Sequence, residues 1–169
     1  MADPKKLATS FVTSTAAPIS FMGRHSHALC GKQLMLKTRE EFEKWLFDID
    51  DKLESLFDSI KINIKLDYSE DSLIDIEKWT IDHYNSIEDL ENDFEIYELL
   101  AIYVGEVFRI NLRIPWDIKL DDPKYAYYQV PEISLPTPVC PFFLLTASID
   151  RQKGNLIKTV YANMKKRYA

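Results

Sequence analysis

Apolar residues recur at helical spacing between Thr38 and Ile60. One stripe at spacings of three and four is formed by Phe42, Trp45, Leu46, Ile49, Leu53, Leu56, Phe57 and Ile60. Thr38 and Glu41 have the spacing of a capping box, in which side chains accept hydrogen bonds from free backbone N–H groups. The pattern predicts a helix that begins after Thr38.

The period then changes from helical spacing to alternation. Apolar and polar residues alternate over residues 60–67, which is typical of a half-buried strand because its successive side chains point to opposite faces. Ser69 is a good N-cap residue for a second helix over residues 70–84. A strand followed by a helix is therefore expected here.

The longest amphipathic pattern covers residues 93–113. Its apolar stripe contains Phe94, Tyr97, Ala101, Val104 and Phe108. Gly105 lies beside this stripe, and a glycine inside a helix costs roughly 1 kcal/mol relative to alanine. Its usual compensation is the close approach of another backbone or a large ring. Pro115 disfavours helical geometry at Ile114, so the helix should end before it.

Alternating segments and two further helical patterns follow. Apolar and polar residues alternate over residues 116–121, and Asp121-Asp122-Pro123-Lys124 has type I turn chemistry. Residues 125–130 are expected to return as the partner strand of a hairpin. Pro141 fits the first position of a helix, and Asn155 is a good cap for a last one. We therefore predict an α+β fold, in which helices pack on one face of a small, mainly antiparallel sheet.

The N-terminal segment differs in composition from the rest of the chain. Residues 1–32 are rich in Ser, Thr, Ala and Pro without a sustained period, so we expect a flexible or irregular arm before one domain over residues 33–169. The mild apolar run from Leu7 to Met22 is interrupted by polar residues and makes a poor signal-peptide core. No apolar run reaches the roughly 18 residues that a membrane span needs. With only two cysteines, the sequence favours reduced thiols and a cytoplasmic location.

Charge is unevenly distributed along the chain. The net charge is −6, but residues 45–98 hold 17 acidic and 4 basic side chains, a net of −13. Such a segment repels phosphate, which argues against nucleic-acid binding, and attracts a basic protein. Candidate contacts to that partner are Asp48, Asp51, Asp58, Glu88, Asp89, Glu95 and Glu98. The alternative is that acidic helix faces only keep the protein in solution.

A candidate ligand site lies between residues 93–113 and the predicted hairpin. Glu106 and Arg109 are three apart on the long helix, and Tyr127 offers an apolar ring with a polar tip. A buried acid–base pair of this kind can line an active site. The alternative for Glu106 and Arg109 is an ordinary solvated salt bridge.

One short cluster has metal-ligand chemistry. His25, His27 and Cys30 form an H-x-H-x-x-C pattern, and imidazole and thiolate are zinc ligands. A closed site needs a fourth ligand, and the only other histidine is His83. We therefore predict no metal and no cofactor. Nucleotide-binding and hydrolase motifs are also missing from the sequence, which favours a non-enzymatic protein.

Several short blocks resemble a family of uncharacterised bacterial proteins. The blocks are Leu66-Asp67-Tyr68-Ser69, Ser72-Leu73 with Glu77-Lys78-Trp79, Tyr103-Val104-Gly105-Glu106, Trp116, and Cys140-Pro141 through Asp150-Arg151. They keep the family's order over about residues 66–163. The family has a glycine pair before the tryptophan, where this chain has Ile114-Pro115. The resemblance implies a bacterial source and no reaction.

Together these features predict a non-enzymatic bacterial protein-binding module. It would use its acidic surface against a basic protein partner. An immunity-type inhibitor is the specific form that we consider, by analogy with small α+β proteins encoded beside bacterial toxins. The alternative is an enzyme or ligand-binding domain with a site between residues 93–113 and 116–130.

Overall fold

A computed structural model describes residues 34–59, 64–134 and 137–168. Within these residues the chain forms seven helices and two strands of two residues each. The helices are α1 (Arg39–Phe47), α2 (Ile49–Ser59), α3 (Ser72–His83), α4 (Ile87–Asn92), α5 (Phe94–Leu112), α6 (Pro141–Arg151) and α7 (Leu156–Tyr168). The strands are β1 (Trp116–Asp117) and β2 (Glu132–Ile133), which pair antiparallel. No described helix combines the length and apolarity needed to cross a bilayer.

The first helical pattern folds as two helices rather than one. The Thr38 hydroxyl accepts a hydrogen bond from the Glu41 amide at 3.1 Å, as the capping box predicts. The Glu41 carboxylate accepts from the Lys37 amide instead of from Thr38. Helix α1 ends at Asp48, whose backbone stays near helical geometry (φ −83°, ψ −2°). The apolar stripe therefore continues in the sequence across the junction between the two helices.

The predicted helices after residue 68 are confirmed, with shifted ends. Ser69 accepts from the Ser72 amide at 3.3 Å, although the helix itself begins at Ser72. Pro141 is the first residue of α6, and α7 follows Asn155. The long helix ends at Leu112, where Arg113 adopts a left-handed conformation with φ 57°. That residue turns the chain before Pro115.

Helix α5 is the centre of the fold. It packs against α2, α3, α4, α6 and α7. Its residues from Leu99 to Phe108 are all buried, including Gly105 and Glu106. A helix that is apolar on all sides belongs inside a protein. The long pattern is therefore better described as a buried helix than as an amphipathic one.

The predicted α+β class is wrong, because the fold is mainly helical. Helices pack on α5, not on the face of a sheet, and the only sheet among the described residues pairs Trp116 with Ile133 and Asp117 with Glu132. The predicted strand over residues 60–67 has no strand structure in its described part, residues 64–67, and the remainder lies outside the described residues.

The predicted hairpin of residues 116–121 and 125–130 is also wrong. Residues 125–130 fold into consecutive turns, in which the Tyr128 amide donates to Tyr125 and the Val130 amide donates to Tyr127. Gln129 is left-handed, with φ 63°. These hydrogen bonds within the turns use backbone amides that pairing between two strands would need. Strand β1 therefore pairs with β2, which follows the turns.

Candidate functional site

Glu106 is buried at the centre of a three-residue cluster. Its side chain is 5% exposed and accepts a hydrogen bond from Trp116 Nε1 at 2.8 Å. Arg109 donates Nε and Nη2 to the same carboxylate, with Nη2–Oε2 at 2.7 Å. This contact raises the pKa of the Arg109 guanidinium. Glu106 and Arg109 thus come together as predicted; the Glu106 carboxylate is buried and its oxygens are fully engaged, whereas the Arg109 side chain is 45% exposed.

Gly105 makes room for the same tryptophan. A Cβ atom at residue 105 would lie 2.0 Å from Cζ2 and Cη2 of Trp116. The indole therefore rests directly on the helix backbone. Two features of α5 therefore position Trp116. The lack of a side chain at Gly105 leaves space for the indole ring, and the Glu106 carboxylate accepts a hydrogen bond from its N–H. This explains the Val104-Gly105-Glu106 motif and the tryptophan ten residues later as a packing device.

A second carboxylate on α5 repeats this arrangement. Glu98 accepts from Trp45 Nε1 at 2.8 Å and pairs with Lys52. The two indoles meet edge to face, with 5.0 Å between the ring centroids of Trp45 and Trp116. Glu98 was predicted to face a partner protein, yet its side chain is only 15% exposed. Its contacts join α1 and α2 to α5.

An open groove of about 810 Å³ lies beside the Glu106 cluster. Its walls come from the α1–α2 junction, the C-terminal end of α5 and the segment that leads to β1. Leu46, Ile110 and Pro115 give it apolar walls, and Arg109 and Arg113 supply cations. Arg113 is exposed and forms no ion pair with another described residue.

Tyr127 does not join Glu106. Its ring packs on Phe143 at 5.3 Å between centroids, and burial raises the pKa of its phenol to about 12. The nearby Cys140 thiol is buried, which raises its pKa to about 12 and leaves it a poor nucleophile. The predicted site between residues 93–113 and 116–130 is therefore not assembled from Glu106, Arg109 and Tyr127 together.

Glu132 is a buried carboxyl group that the sequence did not mark. It is 1% exposed and accepts a hydrogen bond from the Tyr125 hydroxyl at 2.6 Å. Burial raises its pKa above the ordinary value of 4.5, against the opposing effects of Tyr125 and Lys119. Glu132 on β2 pairs with Asp117 on β1, so two acidic residues lie opposite each other in the sheet.

We expect Glu132→Gln to change how stability depends on pH. Because the pKa is raised in the folded state, the folded protein binds more protons than the unfolded chain just above pH 4.5. Its free energy of unfolding therefore falls as pH rises through that window, and glutamine removes this loss. Urea unfolding at several pH values should show the variant gaining on the wild type from pH 4.5 upward. Tyr125→Phe should steepen the wild-type trend, and a pH-independent difference would contradict the assignment.

The remaining predicted carboxylates are at the surface. Asp51, Asp58, Glu88, Asp89 and Glu95 are exposed. Asp48 is partly exposed at the α1–α2 junction. They lie on two stretches of chain, α1–α2 and α4–α5, and none forms an ion pair with another described residue.

Sequence reasoning missed Glu77. This residue is fully buried, and its two oxygens accept hydrogen bonds from the Leu156 and Ile157 amides, each at 2.8 Å. It therefore caps the N-terminus of α7 from α3. A signal was present, since Glu77 follows the apolar residues Leu73 and Ile76 on the buried side of its helix.

The blocks of the resemblance meet each other in space. The Tyr103 hydroxyl accepts from the Tyr68 amide at 3.1 Å and donates to the Ser72 hydroxyl at 2.8 Å. The Tyr68 and Tyr103 rings stack at 5.2 Å. These residues connect α5 to the start of α3, and their role here is structural.

The metal candidates His25, His27 and Cys30 lie outside the described residues. Within the described part of the chain, no group of three or more His, Cys, Asp or Glu side chains is arranged to hold a metal ion. The likeness to an uncharacterised bacterial family stays a prediction. No protein-family model, no curated protein and no solved structure matches this chain.

Proposed function

We propose that this chain is a protein-binding module whose partner is a basic protein. The observation that carries the proposal is a set of six surface carboxylates that form no ion pair with any residue that the structure describes: Asp48, Asp51, Asp58, Glu88, Asp89 and Glu95. Glu98 leaves the predicted set because its carboxylate is engaged inside the fold.

The cations of the acidic segment do little to offset these six carboxylates. Lys52 pairs with Glu98, and Lys65 pairs with Asp67. Glu70 and Asp71 pair with Lys165 and Lys158 of α7, so no described cation forms an ion pair with any of the six. A negative field from such carboxylates steers and accelerates the docking of a positively charged protein. It would also make binding weaken as salt rises.

An immunity-type inhibitor is the specific form of this proposal. The analogy with small proteins encoded beside toxins keeps its charge argument, since a basic toxin domain would suit this surface. The similarity in fold no longer supports the analogy, because those proteins are α+β and this fold is mainly helical. We further propose a cytoplasmic location, which the buried free thiol of Cys140 supports.

The enzyme alternative has less support. A catalytic carboxylate must be free to exchange protons or bind a substrate, whereas Glu106 accepts hydrogen bonds from Trp116 and twice from Arg109. Tyr127 is engaged elsewhere. The groove beside Glu106 presents arginine and apolar side chains without an available general base other than the exposed Asp50.

A matched pair of variants tests the proposal. The first changes three predicted contacts (Asp58→Asn, Glu88→Gln, Glu95→Gln), and the control changes three other exposed acids (Glu54→Gln, Asp75→Asn, Asp82→Asn). Both have the same net charge. We expect a partner captured by the wild type from bacterial lysate, then purified, to bind the first variant about tenfold more weakly and the control nearly normally.

Salt provides the second arm of this experiment. Wild-type affinity should fall as ionic strength rises, and the first variant should show a smaller slope. Equal losses in both variants would mean that only net charge matters and would overturn the proposed surface. A captured partner that is acidic would overturn the proposed function.

A further inference from the structure

An exposed aromatic side chain stands beside the groove. Phe47 is 86% exposed, the highest value among the exposed large hydrophobic side chains of the described residues. Leu46 and Ile49, which lie close to it in the sequence, both line the groove, so Phe47 is next to the groove along the chain. Burying an exposed phenylalanine in an apolar groove removes apolar surface from water and is favourable, so an apolar groove next to it makes Phe47 a candidate contact residue.

The groove has the chemistry to receive such a side chain. Its walls include Ile110, which is itself 46% exposed, together with Leu46 and Pro115. Two guanidiniums and the exposed carboxylate of Asp50 line the same groove. Arg109 binds Glu106 through Nε and Nη2, which leaves Nη1 unused, and Arg113 has no ionic partner among the described residues. The groove therefore suits an apolar side chain that is followed by a carboxylate.

Phe47 is such a side chain, because Asp48 follows it directly. We propose that the occupant of the groove is a second copy of this chain, with Phe47 of each copy seated in the groove of the other and Asp48 facing Arg113. Two-fold dimers require one patch that carries both complementary parts, and this patch does. A phenylalanine at the centre with ion pairs at the rim is a common interface pattern.

The local charge at the groove, rather than the net charge of −6, favours this occupant over an unrelated basic protein. A basic partner would bring like charge to Arg109 and Arg113, which line the groove. A second copy brings Asp48 instead. The inference goes beyond the proposed function and shares only Asp48 with its carboxylate set, so the partner-binding test above, which leaves Asp48 intact, remains independent.

The first experiment measures oligomeric state with the full chain. Light scattering on a sizing column at up to about 100 µM protein detects a dimer of micromolar affinity. We expect a dimer for the wild type, at least tenfold weaker association for Phe47→Glu, and no change for Tyr168→Glu. Tyr168 is also an exposed aromatic, on α7, and it does not line the groove. A wild type that stays monomeric overturns the proposal.

The second experiment identifies a second copy as the occupant. D48K and R113E should each dimerise poorly alone, because every contact between residues 48 and 113 then joins like charges. An equal mixture should form a heterodimer in which both contacts join opposite charges, so association returns to near the wild-type level. Only an interface between copies of this chain predicts this rescue. A mixture that stays monomeric, or variants that dimerise normally, would refute it.

A photo-crosslinking residue at position 47 separates the remaining occupants. Crosslinks between a light and a heavy isotope-labelled chain, ending on groove residues, would support the dimer. Crosslinks within one chain to residues 1–33 would show that this segment covers the groove and would overturn the proposal.

Discussion

Replacing Gly105 with alanine should lower the free energy of unfolding by about 3 kcal/mol, although alanine is the better helix former by roughly 1 kcal/mol. The new methyl group would lie 2.0 Å from two atoms of the Trp116 indole. That ring cannot move away easily, since its N–H donates to Glu106 and the ring packs edge to face with Trp45. Urea unfolding measures the loss.

A double-mutant cycle identifies the cause of this loss. In a Trp116→Leu background the indole is gone, so Gly105→Ala should cost far less and can become stabilising. Glu95→Ala, an exposed substitution on the same helix, should stay within about 0.5 kcal/mol of the wild type. If Gly105→Ala costs the same with and without Trp116, the close approach of ring and helix is not the reason for the glycine.

Glu77→Ala should have a comparable effect, about 3 kcal/mol, through a different cause. It removes the acceptor of two buried amides, those of Leu156 and Ile157, and each unsatisfied group costs about 1–3 kcal/mol. Glu77→Gln keeps one acceptor oxygen but turns an amide group toward the other N–H, so its loss should be intermediate. Thermal or urea unfolding measures both.

Hydrogen exchange gives this prediction a local readout. The amides of Leu156 and Ile157 should lose protection in Glu77→Ala before the amides at the centre of α5 do. Asp75→Ala is the matched control, because it removes one exposed carboxylate from the same helix. Unchanged protection at residues 156 and 157 would contradict the capping role of Glu77.

Local signals predicted the helices well. The Thr38 cap, Pro141 at the start of α6 and the end of α5 before Pro115 all depend on neighbours within a few residues. The prediction of the fold class was wrong because alternation of apolar and polar residues indicates which side chains are buried, and does not indicate which backbone groups pair between strands. Trp116 and Ile118 are both buried, as the predicted strand requires, but the amides of residues 128 and 130 bond locally in turns.

The candidate site was predicted in part, for a related reason. The pairing of Glu106 with Arg109 follows from helix geometry alone. The burial of Glu106 depends on Trp116, because a turn at Arg113 places the indole against Gly105. The spacing of residues in the sequence does not indicate that the chain folds back in this way. The capping of residues 156 and 157 by Glu77 joins groups 79 and 80 positions apart, and no pattern within a single helix contains that information.

The reach of Glu77 also affects the chain during its synthesis. At roughly 5–20 residues per second, the ribosome needs about 4–16 s to extend the chain from Glu77 to Leu156, whose amide donates to the Glu77 carboxylate. Throughout that interval the carboxylate has no helix end to bind and cannot be buried without cost. The nascent α3–α5 core should therefore remain open, and available to chaperones, until α7 has emerged.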